Sequence, residues 1–297
     1  AVAVRIALMP FQSWLLGTVE APTPLSALMH AGVVNAGGLL VILAAPLSAA
    51  APAALDALLV LGLVSAVGGP LAMWAQTDLK RSLAWSTVGQ MGFMAVQCGL
   101  GAYAAALLHL VGHGCYKANA FLRSGTLERA VEARPPVAGA TVALAGWAVG
   151  TLVALAALAA TYRLLGADPA TLPGGWTLVA VQALAVGQVL ASPAATALGA
   201  LPRAGLVVPA AALYAALTWT IEHLLHGHVA AAPALADRGA HGPVLAVLVP
   251  AALAALTIIW VLLPRLAAQP WALAFRVHAG NGFYLPLLAE RLLRGRA

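Results

Sequence analysis

The stretch HLVGHGCYKANAFLRSG, residues 109–125, places His109, His113 and Lys117 at i, i+4 and i+8. In a helix these bases share one stripe, with steps of about 6 Å in rise. The surroundings are apolar: AYAAALL precedes the stretch and ANAFL lies within it. Composition gives the medium. Of 297 residues, 62% are hydrophobic and 8% charged, against about 25% charged in a soluble domain. Apolar runs of roughly 20 residues recur along the chain, each long enough to cross a bilayer core. The short alternating segments of a membrane barrel are absent. The expected fold is all-α, a polytopic transmembrane helix bundle.

About eight spans are expected, at roughly 24–45, 55–76, 79–100, 102–123, 139–162, 175–193, 204–225 and 243–266. Pro and Gly clusters separate most of them. HGHVAAAPALADRGAHG at 226–242 reads as a surface loop, and LLAERLLRGRA at the end as a basic amphipathic segment on a membrane surface or a partner. The opening AVAVRIALMPF has neither Met nor signal peptide, so this is expected to be the C-terminal part of a longer protein. Connections after even-numbered spans carry Lys80 and Arg81; Arg123, Arg129 and Arg134; Arg203; then Arg265, Arg276, Arg291, Arg294 and Arg296. The opposite connections carry Arg163 and Arg238. The positive-inside rule puts the basic side, and the C-terminal tail, in the cytoplasm. The formal charge of +6 does not indicate nucleic acid, because the basic residues are scattered among loops. Cys98 and Cys115 fall inside apolar segments and read as small buried hydrophobes. No disulfide framework or zinc motif is present.

Ionisable residues inside a membrane usually face a hydrated interior and mark ion or proton routes. Histidine titrates near neutrality, and ordered water can bridge the steps between bases. Against conduction stands packing: a lone intramembrane histidine is often a hydrogen-bonded packing residue, but two histidines and a lysine in register are harder to explain that way. A metal site would need further ligands, and no carboxylate or cysteine lies on the stripe. His30 and Asn35 fall in the first span among glycines and alanines, which permit close helix packing; packing and conduction both fit His30. Ser82, Ser86 and Gln90 form a stripe in the third span, as helix glue or as the lining of a water chain. Lys80 follows Asp78 at that span's start, where an ion pair or a positive-inside anchor competes with a pathway role.

QTDLKRSLAWSTVGQMGFM, MPFQSWLLGTVEAPTPLSALMHAGVVNAGG and HLVGHGCYKANAFLRSG together resemble the proton-translocating, antiporter-like membrane subunits. These include the large membrane subunits of respiratory complex I and the matching subunits of multisubunit sodium/proton antiporters. The match covers about residues 5–125, in family order and spacing. It implies a proton pathway through Lys117, His113, His109, Lys80 and His30. Arg5 stands where the family has a broken-helix lysine, and a guanidinium effectively never deprotonates. The matching segment of the family's second broken helix, PPVAGATVALAGWAVGTLVALAALAATYRLL, has no internal proline after its start and no lysine; Arg163 is the nearest base. On this reading residues 1–23 end a broken transmembrane helix and linker. Residues 24–125 are the antiporter-like core with its His/Lys axis, 126–266 a divergent second half, and 267–297 the basic amphipathic tail. Asn35, Ser86, Gln90 and Arg163 are candidate linings.

Within this family, EAPTPLSALMHAGVVNAGG, GHGCYKANAFLRSG and VHAGNGFYL look most like the membrane subunit of the DAB inorganic-carbon uptake complexes. That resemblance implies a bacterial inner-membrane, hetero-oligomeric complex with a large cytoplasmic, zinc-containing, carbonic-anhydrase-like subunit, in which cation flow is coupled to hydration of CO2 to bicarbonate. Zinc is then expected on the partner and no cofactor or catalytic site in this chain. The competing readings are a proton-pumping subunit of NADH-quinone oxidoreductase or of a sodium/proton antiporter, and a non-conducting scaffold.

Overall fold

Two compact units divide the chain, Ala1–Glu132 with Ala267–Ala297, and Ala133–Leu266. The structure, a computed structural model, describes residues 1–124, 140–191, 200–225, 238–266, 269–285, 287 and 291. Arg129, Arg134, Arg294 and Arg296, most of the 226–242 loop and most of the LLAERLLRGRA segment lie outside the described residues.

The first unit begins with two short helices, α1 (Val2–Arg5) and α2 (Ser13–Gly17), the second running into a 3-10 turn, Thr18–Glu20. The first expected span follows as α3 (Thr23–Ala31) and α4 (Ala36–Leu43), separated by a 3-10 turn at Val33–Asn35. Proline in the first turn of α3 suits a position whose N–H has no helical partner. After α5 (Ala45–Ala49) come three long helices: α6 (Pro52–Trp74), α7 (Leu79–Gly99) and α8 (Tyr103–Leu122). Asp78 caps α7, its Oδ1 accepting from Arg81 N at 2.7 Å, the usual means of satisfying a free N-terminal donor. The α6 and α7 backbones nearly touch. A Cβ on Gly62 would lie 2.7 Å from Gly92 O, and one on Gly69 would lie 2.5 Å from Gly89 N. Small residues at a crossing are how membrane helices gain contact without a hydrophobic driving force.

The second unit holds α9 (Ala140–Leu164), α10 (Gly175–Ala191), α11 (Ala200–Leu225) and α12 (Gly242–Leu266). Ala154, Leu158, Tyr162, Val179, Ala183, Ala211 and Ala215 form its core. The chain then returns to the first unit as α13 (Pro270–Gly280) and a 3-10 turn, Gly282–Tyr284. Gln76, just past α6, donates through Nε2 to Gly280 O at 3.1 Å.

Each of the eight expected segments carries helix among the described residues. Five are long and apolar enough to cross a membrane: Thr23–Leu43, Pro52–Trp74, Leu144–Leu164, Ala204–Leu225 and Gly242–Leu263. Gly175–Ala191 is shorter. Helices α7 and α8 are long enough, at 21 and 20 residues, but are too polar to join the five. They are the helices that carry the ionisable stripe and its partners. The cysteines differ from expectation: Cys98 is buried, whereas Cys115 is exposed. Two residues after His113, Cys115 lies about 200° further round the helix and faces away from the cluster.

Candidate functional site

Helix α8 sets His109, His113 and Lys117 on one face, as their spacing requires. The His109 and His113 rings lie 5.9 Å apart. Lys117 is fully buried, at 0% exposure, although its side chain ends in an amine on a long stem. Its Nζ donates to Leu83 O of α7 at 2.8 Å. The same carbonyl accepts Thr87 Oγ1 at 3.1 Å. Thr87 Oγ1 also lies 3.2 Å from His30 Nδ1, and the other ring nitrogen of His30 lies 3.3 Å from Thr18 Oγ1. Thr18 Oγ1 in turn donates to Leu15 O at 2.6 Å. Phe121, one turn beyond Lys117, stacks on the His30 ring at 4.5 Å. Four elements thus meet in one bonded series: Lys117, the Leu83 carbonyl, Thr87, His30 and Thr18.

Proton counting gives this series two states. A threonine hydroxyl has one proton, and here both hydroxyls give theirs to backbone carbonyls. Both nitrogens of His30 therefore face acceptors. A neutral imidazole, with one N–H, satisfies only one of them unless a hydroxyl turns round.

His113 is held differently. Asn35 Nδ2 donates to Ala31 O at 2.7 Å and to Leu110 O at 3.3 Å, leaving Oδ1 to face His113 Nδ1 at 3.2 Å. The amide thus caps a carbonyl at the break between α3 and α4 and orients the His113 ring with Nδ1 as donor. Gly114 allows the approach: a Cβ there would lie 3.1 Å from Ala31 O. The Nε2 atoms of His109 and His113 are buried without a hydrogen-bond partner among the described residues. Gln12 is also fully buried, with neither amide atom bonded.

The other sequence candidates are dispersed. Arg5 ends α1 and is exposed, its stem against Gly37 of α4. Lys80 is half-buried and donates to Val19 O at 3.2 Å and to Ala21 O at 2.9 Å. Ser82 and Ser86 are half-buried and Gln90 is exposed; the hydroxyl that reaches the cluster is that of Thr87. Arg163 is exposed in the last turn of α9, in the second unit. Sequence reasoning missed Thr18, Thr87, Phe121 and Gln12. Thr87 had a signal, a hydroxyl next to Ser86 in the same expected span. The Leu83 carbonyl had none, because a backbone acceptor leaves no mark in a sequence. Among the described residues no three His, Cys, Asp or Glu side chains are grouped to hold a metal. Lys117 has no carboxylate within ion-pair distance among the described residues; Arg81 pairs with Glu20 at 3.3 Å.

Comparison with known proteins places the sequence in a family. Residues 1–165 match the family described as "NADH:quinone oxidoreductase/Mrp antiporter, TM". The "Probable inorganic carbon transporter subunit DabB2" of Halothiobacillus neapolitanus is 36% identical over 98% of this chain and 53% of its own length. The "Probable inorganic carbon transporter subunit DabB" of Hydrogenovibrio crunogenus is 50% identical over 42% of this chain and 24% of its own. "NADH-quinone oxidoreductase subunit L" of Mycobacterium tuberculosis is 42% identical over 43% of this chain and 20% of its own. The chain therefore spans about half the length of the first relative and a quarter or less of the others. With the family match covering more than half of it, the chain belongs to the NADH:quinone oxidoreductase/Mrp antiporter membrane family and is a multi-pass membrane protein.

Proposed function

We propose that this chain is the proton-conducting membrane subunit of an energy-coupled inorganic-carbon uptake complex of the bacterial inner membrane. The observation that carries conduction is the bonded series from Lys117 through Leu83 O and Thr87 to His30. When His30 carries a proton on Nδ1, it donates to Thr87, whose hydroxyl donates to Leu83 O. When that proton leaves, the hydroxyl turns to donate to Nδ1, and Leu83 O keeps Lys117 and its own helical N–H partner. One proton on His30 thereby changes which donors share the carbonyl that holds the lysine. The unpartnered Nε2 atoms of His113 and His109 continue the series along α8, with water as the bridge.

The carbon role is supported by the relative over most of the chain, named a probable inorganic carbon transporter subunit, whereas the complex I relative matches 43%. The hydration chemistry then belongs to a large, cytoplasmic, zinc-containing subunit. Arginines of the 123–136 connection, Arg129 and Arg134 among them, steer it to the membrane.

The test is growth in ambient air of a strain lacking its own carbonic anhydrase, rescued by the genes for this protein and its partner. Lys117→Ala is expected to abolish rescue while membrane insertion and partner binding persist. Lys117→Arg is expected to fail too, because a guanidinium does not release its proton. Rescue by Lys117→Ala refutes conduction through this site. Co-purification with respiratory-chain subunits instead of a carbonic-anhydrase-like protein moves the assignment to a proton-pumping oxidoreductase.

A further inference from the structure

The 3-10 turn Thr18–Glu20 carries the hydroxyl that faces His30 Nε2, and the carbonyls that close it are held from two sides. Ser26 Oγ, at the start of α3, lies within bonding reach of both Thr18 O, at 3.2 Å, and Ala21 O, at 3.1 Å. Lys80 Nζ, from the first turn of α7, donates to Val19 O at 3.2 Å and Ala21 O at 2.9 Å. Beside it Arg81 Nη2 meets Glu20 Oε1 at 3.3 Å. Helix ends leave carbonyls without helical partners, and these donors supply the partners from neighbouring elements. The Lys80 ammonium is thus engaged by backbone, and among the described residues no titratable side chain is bonded to it.

We propose that Lys80 is a positioning residue, which staples the Thr18–Glu20 turn to the N-terminus of α7 and so sets the spacing of the two hydroxyls that bracket His30. Thr18 lies on the stapled turn. Thr87 lies two turns further along α7, about 10 Å in rise, on a helix stiff enough to carry the register. Releasing Lys80 lets Thr18 and Thr87 move apart across the ring, so His30 loses one partner or the other. This role rests on the reading that His30 lies on the conducting route. It differs from proton exchange at Lys80 itself in needing donors at that position, not a removable proton.

The experiment compares Lys80→Arg, Lys80→Met and Lys117→Ala in inside-out membrane vesicles, measuring proton flux and its pH profile. Hydrogen exchange of the backbone over residues 13–26 is measured on the same preparations. Arginine retains donors and never deprotonates; methionine retains the stem and has none. Lys80→Met is expected to speed exchange in that segment and to cut flux about tenfold, within what a misplaced group costs. Lys80→Arg is expected to return both to within about twofold of the parent protein, with the pH profile unaltered in shape, because its donors can reach the same carbonyls. Lys117→Ala should stop flux and leave the segment's exchange unchanged. The proposal is overturned if Lys80→Arg is as inactive as Lys80→Met while exchange is normal, which is the signature of a proton-exchanging lysine. It is also overturned if Lys80→Met changes neither readout. Should Lys117→Ala conduct normally, the conduction reading fails, and the staple is judged by hydrogen exchange alone.

Discussion

Thr87 joins two bases that do not touch each other. Its hydroxyl faces His30 Nδ1 at 3.2 Å and Leu83 O at 3.1 Å, and that carbonyl takes the Lys117 ammonium. Thr87→Val preserves shape and removes the hydroxyl, leaving a buried imidazole nitrogen without its partner at a cost of about 1–3 kcal/mol. Proton flux in vesicles is expected to fall about tenfold or more, in line with that cost, whereas Thr87→Ser is expected to conduct near the parent rate. Equal loss in both variants would show that the methyl contact matters and the hydroxyl does not. At this scale the sequence was legible to within one residue. The stripe Ser82, Ser86, Gln90 has helical spacing, but the structure leaves Gln90 exposed and turns Thr87 inward. Successive residues differ by about 100° on a helix, and the choice between Ser86 and Thr87 depends on where α3 packs, which periodicity along α7 does not contain. The α8 stripe was fully legible because apolar flanks leave its polar residues conspicuous.

Elements meet here through small residues and breaks. The expected first span is a helix interrupted at Val33–Asn35, and Asn35 uses that interruption to cap Ala31 O and orient His113. In SALMHAGVVNAGG the one mark of this break is Gly32, which caps the end of α3, and no proline accompanies it. The α6–α7 crossing is more readable, being lined by glycines on both sides. A Cβ on Gly92 would press on Ala66 N and Gly62 O. Gly92→Leu is therefore expected to destabilise the first unit by about 1–3 kcal/mol through overpacking, seen as a lower melting temperature in detergent. Gly205→Ala in α11 is the contrast. Its Cβ would meet nothing within 4 Å, and replacing a helical glycine gains about 1 kcal/mol or less. If both variants melt alike, the crossing is not held by close backbone contact.

At the scale of the molecule, the buried bases and their hydroxyl partners belong to the first unit and Arg163 to the second. The family resembled has a second, lysine-bearing broken helix in the later half, and the sequence here shows neither the proline break nor the lysine. That segment is accordingly an uninterrupted helix over its described length, Ala140–Leu164, with Arg163 exposed in its last turn. An exposed guanidinium at a helix end does not exchange protons and interacts favourably with the free carbonyls of that end. Arg163→Ala is therefore expected to reduce bicarbonate-dependent growth rescue only in part, while Lys117→Ala in the same strain eliminates it. The two variants are compared at equal membrane abundance, so that a folding defect is not read as a transport defect. Complete loss with Arg163→Ala would mean that the second half supplies an essential charge to the route despite its lack of lysine. Partial loss places the proton-exchanging chemistry of this chain in the first unit, where Lys117 is buried against a backbone carbonyl and a single hydroxyl links it to a histidine.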